Sequence, residues 1–103
     1  MQYTSKNRIV FINGVNEDIL EVYIVEAEFD NVNWGVVGVY TSFKEAYNNA
    51  VAWLNTYVAE GNVMVDKNYD ESLERSDKVY LKDENYTNAL VSIERFWLNE
   101  PLG

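Results

Sequence analysis

The stretch EVYIVEAEFD, residues 21–30, alternates two kinds of side chain and predicts a β-strand. One face is apolar throughout, whereas the other begins apolar and ends in the carboxylates of Glu26, Glu28 and Asp30. The apolar run WGVVGVY, residues 34–40, follows after a short connection, so we expect the two segments to pair as an antiparallel hairpin. The sequence thus predicts a rigid strand pair in which one face is buried and the other becomes solvated toward the end of the first strand.

A long amphipathic helix is predicted over residues 42–60. Ser42 and Glu45 form a capping-box pattern, the apolar positions follow the helical period, and Gly61 stands where a helix ends. The two glycines inside the preceding strand predict a bulge or the close approach of this helix.

The other predicted strands are short, and they cover residues 8–12, 63–65, 78–82 and 89–98. The first of them stops at Asn13-Gly14, which is a hairpin signal, and residues 15–20 are interpreted as a turn or bulge. This order of elements predicts an α+β fold in a single domain over residues 1–103. It consists of an antiparallel sheet of about four strands with one long helix, residues 42–60, packed on one face.

The last predicted strand is ALVSIERFWL, residues 89–98. Its alternation places Val91 and Ile93 toward the core and Glu94 or Arg95 toward water. Pro101 terminates it, because proline cannot donate a hydrogen bond to a sheet.

The segment from EVYIVEAEFD through VVGVYTSFKEA, residues 21–46, resembles the strand–strand–helix pattern of small uncharacterised phage and bacterial domains. In these domains a V-G-V-Y/F strand runs through a Ser/Thr cap into an Ala-containing helix. The quoted stretch spans 26 residues. It implies an architecture and carries no assigned activity.

The composition narrows the classes of function. Seventeen acidic and eight basic residues give a net charge of −9 at pH 7, which disfavours direct binding to nucleic acid or anionic membranes. Cysteine and histidine are absent, which excludes disulfides, Cys/His zinc sites and histidine-dependent nucleophiles. No catalytic or cofactor signature is present, so we expect a protein that is not an enzyme and has no cofactor. The N-terminus carries no apolar segment of signal-peptide length, so we expect a cytoplasmic protein.

Acidic and aromatic residues are the candidate binding groups. No Lys or Arg occurs from residue 9 to residue 43, and alternate carboxylates on a strand stand about 6.6 Å apart, a regular row of anions like that of nucleic acid. Aromatic residues make up 15% of the chain, and Tyr and Trp are frequent interface anchors. The predicted contacts are Glu26, Glu28, Asp30, Asp66, Asp70, Glu71, Asp77, Asp83 and Glu84, with Tyr69, Tyr80 and Trp34 as anchors.

These residues predict a non-catalytic interaction module that binds a basic protein surface. The natural partner is a nucleic-acid-binding enzyme whose nucleic-acid path the module blocks. By analogy, this suggests a phage-encoded inhibitor of the anti-CRISPR or anti-restriction type.

Other interpretations stay open. The protein could form a homo-oligomer through its aromatic surface, with acids that serve only solubility. Residues 66–77 match part of an EF-hand loop, but Glu71 stands where the loop needs Gly and Asp77 where it needs Glu, which favours a solvated acidic loop over a calcium site. A carboxylate pair could act as general acid and base, but the sequence singles out no pair.

Overall fold

The computed structural model describes residues 1–6, 8–16, 18–29, 32–57, 63–65, 78–83 and 86–98. Within them the chain forms seven β-strands and one α-helix. In chain order the elements are β1 (Gln2–Thr4), β2 (Ile9–Phe11), β3 (Glu21–Phe29), β4 (Val32–Tyr40), α1 (Phe43–Tyr57), β5 (Val63–Val65), β6 (Lys78–Asp83) and β7 (Tyr86–Leu98).

All seven strands belong to one antiparallel sheet, with β7 at its centre. One edge of β7 pairs with β3 from Ala89 to Trp97. Its other edge is shared, because β6 pairs with the first part of β7 and β1 pairs with Trp97 and Leu98. The sheet continues outward through β4 beside β3, β5 beside β6, and β2 beside β1. It curls into a half-barrel.

This architecture shows that the predicted fold class is wrong. The structure is mostly sheet, with seven strands instead of about four, and the described helix runs from Phe43 to Tyr57 instead of over residues 42–60. Strand β1 has only three residues, too few to show a period in the sequence. Strand β7 has 13 residues, and this length lets it pair with three neighbours. Residues 58–60 lie outside the described part of the chain.

Helix α1 covers one face of the sheet, which we call the helix face. It begins as predicted, because the Glu45 backbone N–H donates a hydrogen bond of 3.2 Å to Ser42 Oγ. Ala46, Ala50 and Leu54 recur every four residues and are fully buried against the sheet. No helix in the described ranges is long and apolar enough to cross a membrane. The buried residues of the sheet on this face are Tyr23, Val25, Ala27, Val79, Leu81, Val91 and Ile93.

Strands β3 and β4 form the predicted antiparallel hairpin, and two irregularities bend it. Register shifts follow Val25 and Ala27, and each leaves one extra residue in β4. Gly35 at the second shift has φ +92°, a left-handed conformation that glycine adopts without steric cost. Of the two predicted explanations for the strand glycines, a bulge or the close approach of the helix, the bulge is found at Gly35. At Gly38 the close neighbour is the Tyr40 side chain and not the helix.

The hairpin formed by β1 and β2 packs over the opposite face at one end of the sheet. Residues 15–20 follow Asn13-Gly14, but β2 pairs with β1 and not with them. Val15 and Ile19 instead pack against the apolar side chains beneath the hairpin. We call these buried side chains the hairpin core, and they are Tyr3, Val22, Ile24 and Phe96.

The Tyr3 hydroxyl links the hairpin core to residues 15–20, which pack against it. It donates a hydrogen bond of 2.8 Å to the Ile19 carbonyl oxygen, and the Tyr3 side chain is 0% exposed. Burial raises the pKa of Tyr3 above its ordinary value of 10.0. Burial also raises the pKa of Tyr23, with a further contribution from its hydrogen bond to Glu21.

We predict that Tyr3→Phe lowers the free energy of unfolding at neutral pH by about 1 kcal/mol, because the Ile19 carbonyl loses its partner. At alkaline pH the free energy of unfolding of the same variant falls less than that of the wild type. The folded chain holds the Tyr3 proton more tightly than the unfolded chain, so this stabilisation is fully present below pH 10.0 and is lost as the pH rises through the raised value. Urea unfolding at a series of pH values measures both effects. Tyr80→Phe removes an exposed hydroxyl and is the control; parallel alkaline losses in Tyr3→Phe and wild type would contradict the assignment.

Candidate functional site

The face opposite helix α1 is covered at one end by the β1–β2 hairpin and forms a cavity farther along the sheet. The cavity has a volume of about 430 Å³. Its walls come from three neighbouring strands, β3, β7 and β6, so rigid sheet and not loops sets their spacing. We call this space the cavity, and its lining residues are Glu26, Ala27, Glu28, Lys78, Tyr80, Leu90 and Ser92.

Strand register places these side chains in rows across the sheet. Glu26 lies opposite Ser92 on β7, and Ser92 lies opposite Tyr80 on β6. One step along, Glu28 lies opposite Leu90. Directly opposed residues in an antiparallel sheet place their side chains on the same face, so two carboxylates, a hydroxyl, a phenol and an apolar side chain converge on one space.

A buried carboxylate lies between the cavity and the hairpin core. Glu94 has 1% exposure, although the sequence predicted that it or Arg95 would face water. Ser5 Oγ donates a hydrogen bond of 2.7 Å to Glu94 Oε2, and Arg8 Nε and Nη2 each lie 3.0 Å from Glu94 Oε1. A carboxylate removed from water requires such compensation, and a guanidinium supplies it with both charge and directed donors.

Arg8 joins this buried carboxylate to the cavity wall. Its Nη2 also forms an ion pair with Glu26 Oε1, and its guanidinium lies over the Phe96 ring at 5.4 Å. Arg8 therefore contacts β3 and β7 from the hairpin at once. Because the Glu26 carboxylate is paired within the chain and its side chain is only 16% exposed, Glu28 is the cavity carboxylate better placed for an external partner.

The cavity has mixed charge and is not purely anionic. Lys78 lies opposite Glu94 in the strand register, and its Nζ is 5.4 Å from the centre of the Tyr80 ring. The sequence has no Lys or Arg from residue 9 to residue 43, yet the fold brings the charged side chains of Arg8 and Lys78 to the carboxylates of this stretch.

The structure brings together three of the predicted contact residues: Glu26, Glu28 and Tyr80 line the cavity. Asp83 and Trp34 lie in β6 and β4, and their side chains are not described. The other predicted contacts, and the loop considered for calcium, lie outside the described residues: Asp30, Asp66, Tyr69, Asp70, Glu71, Asp77 and Glu84.

The sequence interpretation missed Arg8, Glu94, Ser92 and Lys78 as parts of the site. A signal for Glu94 was present, because strand alternation places it on the same face as Phe96. This alternation predicts that Glu94 is buried only if the face that it shares with Phe96 is covered. No local pattern could have paired Arg8 with Glu94, which are 86 positions apart.

Comparisons with protein-family models, with curated proteins and with solved structures gave no match. The similarity of the junction between strand and helix to phage and bacterial domains therefore stays a prediction. Assignment of function depends on the geometry of the site.

We predict that Arg8 and Glu94 are energetically coupled. Arg8→Met leaves a buried carboxylate without its guanidinium and should lower the free energy of unfolding by about 3 kcal/mol, at the low end for buried pairs because Arg8 is 40% exposed. The double variant with Glu94→Met should be more stable than the sum of the two single changes allows, by about 1–3 kcal/mol. Urea unfolding of the four proteins measures this.

Lys44→Met is the matched control, because it removes an exposed positive charge from helix α1. It should change the free energy of unfolding by less than about 0.5 kcal/mol. Additive effects of Arg8→Met and Glu94→Met would show that the pair does not stabilise the hairpin.

Proposed function

We propose that this protein is a non-catalytic interaction module that binds a basic protein surface, with the cavity receiving one arginine side chain of the partner. One observation carries the proposal: the predicted contacts Glu26 and Glu28, on one strand, and Tyr80, more than 50 positions away, line the same cavity. Its volume of about 430 Å³ lies in the range of small-ligand sites, enough for a long side chain.

The chemistry of the walls suits an amphipathic cation. Arginine has an apolar stem and a planar charged head with five donors. Leu90 offers apolar contact to the stem, the Glu28 carboxylate offers charge and acceptors to the head, and the Ser92 hydroxyl offers a further acceptor. The 48% exposed Tyr80 ring can stack on a guanidinium plane.

Lys78 gives the cavity selectivity. Its ammonium already lies over the Tyr80 ring, so an incoming cation must displace it. A guanidinium stacks on an aromatic face and pairs with a carboxylate through two parallel hydrogen bonds, which an ammonium cannot do. The proposed site therefore favours arginine over lysine.

The class of partner follows from the charge of the chain. A net charge of −9 attracts a basic surface over long range, and nucleic-acid-binding enzymes present such surfaces rich in arginine. The proposal extends to a partner of this kind, whose nucleic-acid path the module blocks, and to a phage-encoded inhibitor. This extension rests on composition, whereas the arginine site rests on the cavity.

We predict that Glu28→Lys weakens binding of a synthetic arginine-rich peptide about tenfold at low salt, because it places a cation where the guanidinium must lie. Asp18→Lys makes the same change of charge at an exposed position outside the cavity lining and should have a much smaller effect. Fluorescence anisotropy of a labelled peptide gives both affinities, and binding should weaken as salt is raised.

Two further variants separate a built site from diffuse attraction. Tyr80→Ala should weaken binding of the arginine-rich peptide more than binding of a lysine-rich peptide of equal charge, because only a planar guanidinium stacks on the ring. Equal losses from Glu28→Lys and Asp18→Lys, with no preference between the peptides, would mean that net charge alone attracts the probe and that the cavity is not the site.

A further inference from the structure

Strand β2 is an outer strand of the sheet, and its outward backbone groups are unpaired among the described residues. Met1 N donates to the Ile12 carbonyl at 2.8 Å, Ile12 N donates back to Met1 at 2.9 Å, and Ser5 N donates to the Arg8 carbonyl at 2.9 Å. Hydrogen-bonded pairs alternate along an antiparallel ladder, so Val10 also faces β1. The N–H and C=O groups of Ile9 and Phe11 therefore point away from β1, along the free edge.

The side chains of this edge are apolar and exposed. Ile9 is 54% exposed and Phe11 is 78% exposed, whereas Val10 between them packs toward the hairpin core. Natural edge strands usually carry a charge, a proline or a bulge that prevents pairing, and β2 has none of these within its three residues. The opposite edge, β4, contains two bulges.

We propose that a second copy of this chain pairs with the free edge of β2, antiparallel, about a two-fold axis at Val10. In this register Ile9 lies opposite Phe11 of the second copy, and Phe11 lies opposite its Ile9. Both residues point their backbone groups outward, so both pairs can exchange N–H···O bonds in each direction. The edge is thus complementary to itself, as a two-fold interface requires.

The distribution of charge permits a copy of this chain at this edge. Two molecules with a net charge of −9 repel each other, but residues 1–16 contain no Asp or Glu, while Lys6 and Arg8 flank the strand. The proposed register places Lys6 opposite Gly14 of the second copy, so the bases do not oppose each other either. This edge therefore brings two copies together without opposed carboxylates.

The apolar row across the sheet also continues into the second copy. Trp97 lies opposite Thr4, and Thr4 lies opposite Ile9, so the three share one face. Trp97 is 37% exposed. Pairing adds Phe11 of the second copy to this row, and cross-strand pairs of an aromatic and a β-branched residue stabilise sheets.

Sedimentation velocity over a dilution series tests the proposal. The wild type should form a dimer, and Phe11→Lys should raise its dissociation constant at least about tenfold, because a lysine on an edge strand opposes pairing. Val36→Lys, at a 61% exposed position on the opposite edge strand, should leave the dimer unchanged. Dimerisation should strengthen as salt is raised, because salt screens the repulsion between the two anionic molecules.

Amide hydrogen exchange of the wild type tests the register and needs no variant. Exchange at the Ile9 and Phe11 amides should slow as protein concentration rises, whereas Val10, already paired with β1, should be protected at every concentration. A monomer at all concentrations, or a dimer equally weakened by Val36→Lys, would overturn the proposal. The salt dependence is opposite to that of arginine-peptide binding, so failure of one proposal is distinguishable from failure of the other.

Discussion

Strand β7 is hydrogen-bonded along both of its edges, and this pairing positions the other strands of the described sheet. One edge is filled by β3 and the other is shared between β6 and β1. Residues 91–94 and Phe96 of this strand are buried, so its central part is covered on both faces. Val91 and Ile93 belong to the core beneath the helix, while Phe96 belongs to the hairpin core. Two apolar layers in a chain of 103 residues are possible because β3 and β7 each contribute to both.

The ion pair of Arg8 with Glu94 lies between the hairpin core and the cavity, and it links the β1–β2 hairpin to the cavity wall. An apolar pair of similar volume would often be as stable, so the polar pair is better understood as a device that fixes position. Ser5 and Arg8 both reach Glu94 from the connection between β1 and β2, and Arg8 continues to Glu26. The hairpin therefore cannot shift without disturbing a wall of the cavity.

Two surfaces with different electrostatic character result. The cavity combines the carboxylates of Glu26 and Glu28 with Lys78, and it suits a cation that can stack on a ring and donate directed hydrogen bonds. The β2 edge lies in the carboxylate-free segment of residues 1–16 and presents Ile9 and Phe11. Salt screens both the attraction of a cation to the cavity and the repulsion between two copies, so it acts against the first association and in favour of the second.

Local patterns of residues predict the local elements of this chain. Alternation in residues 21–30 gave β3 and its faces, and the Ser42 cap with its apolar period gave the start of α1. The same alternation places Glu26 and Glu28 on one face of the strand, where they are predicted contact residues. These features are local, because side-chain parity and capping depend on residues a few positions apart.

The number of strands and the electrostatic environment of the acidic side chains depend instead on contacts between distant parts of the chain. Alternation shows that the two faces of a strand differ, but not which of them a distant hairpin covers. The pattern therefore predicts Glu94 or Arg95 in water, whereas Glu94 is buried. The acidic row gained Arg8 and Lys78 through pairing between distant strands, over separations that no local pattern encodes. Charge along a chain is fixed by its sequence, whereas charge at a site is set by which strands meet there.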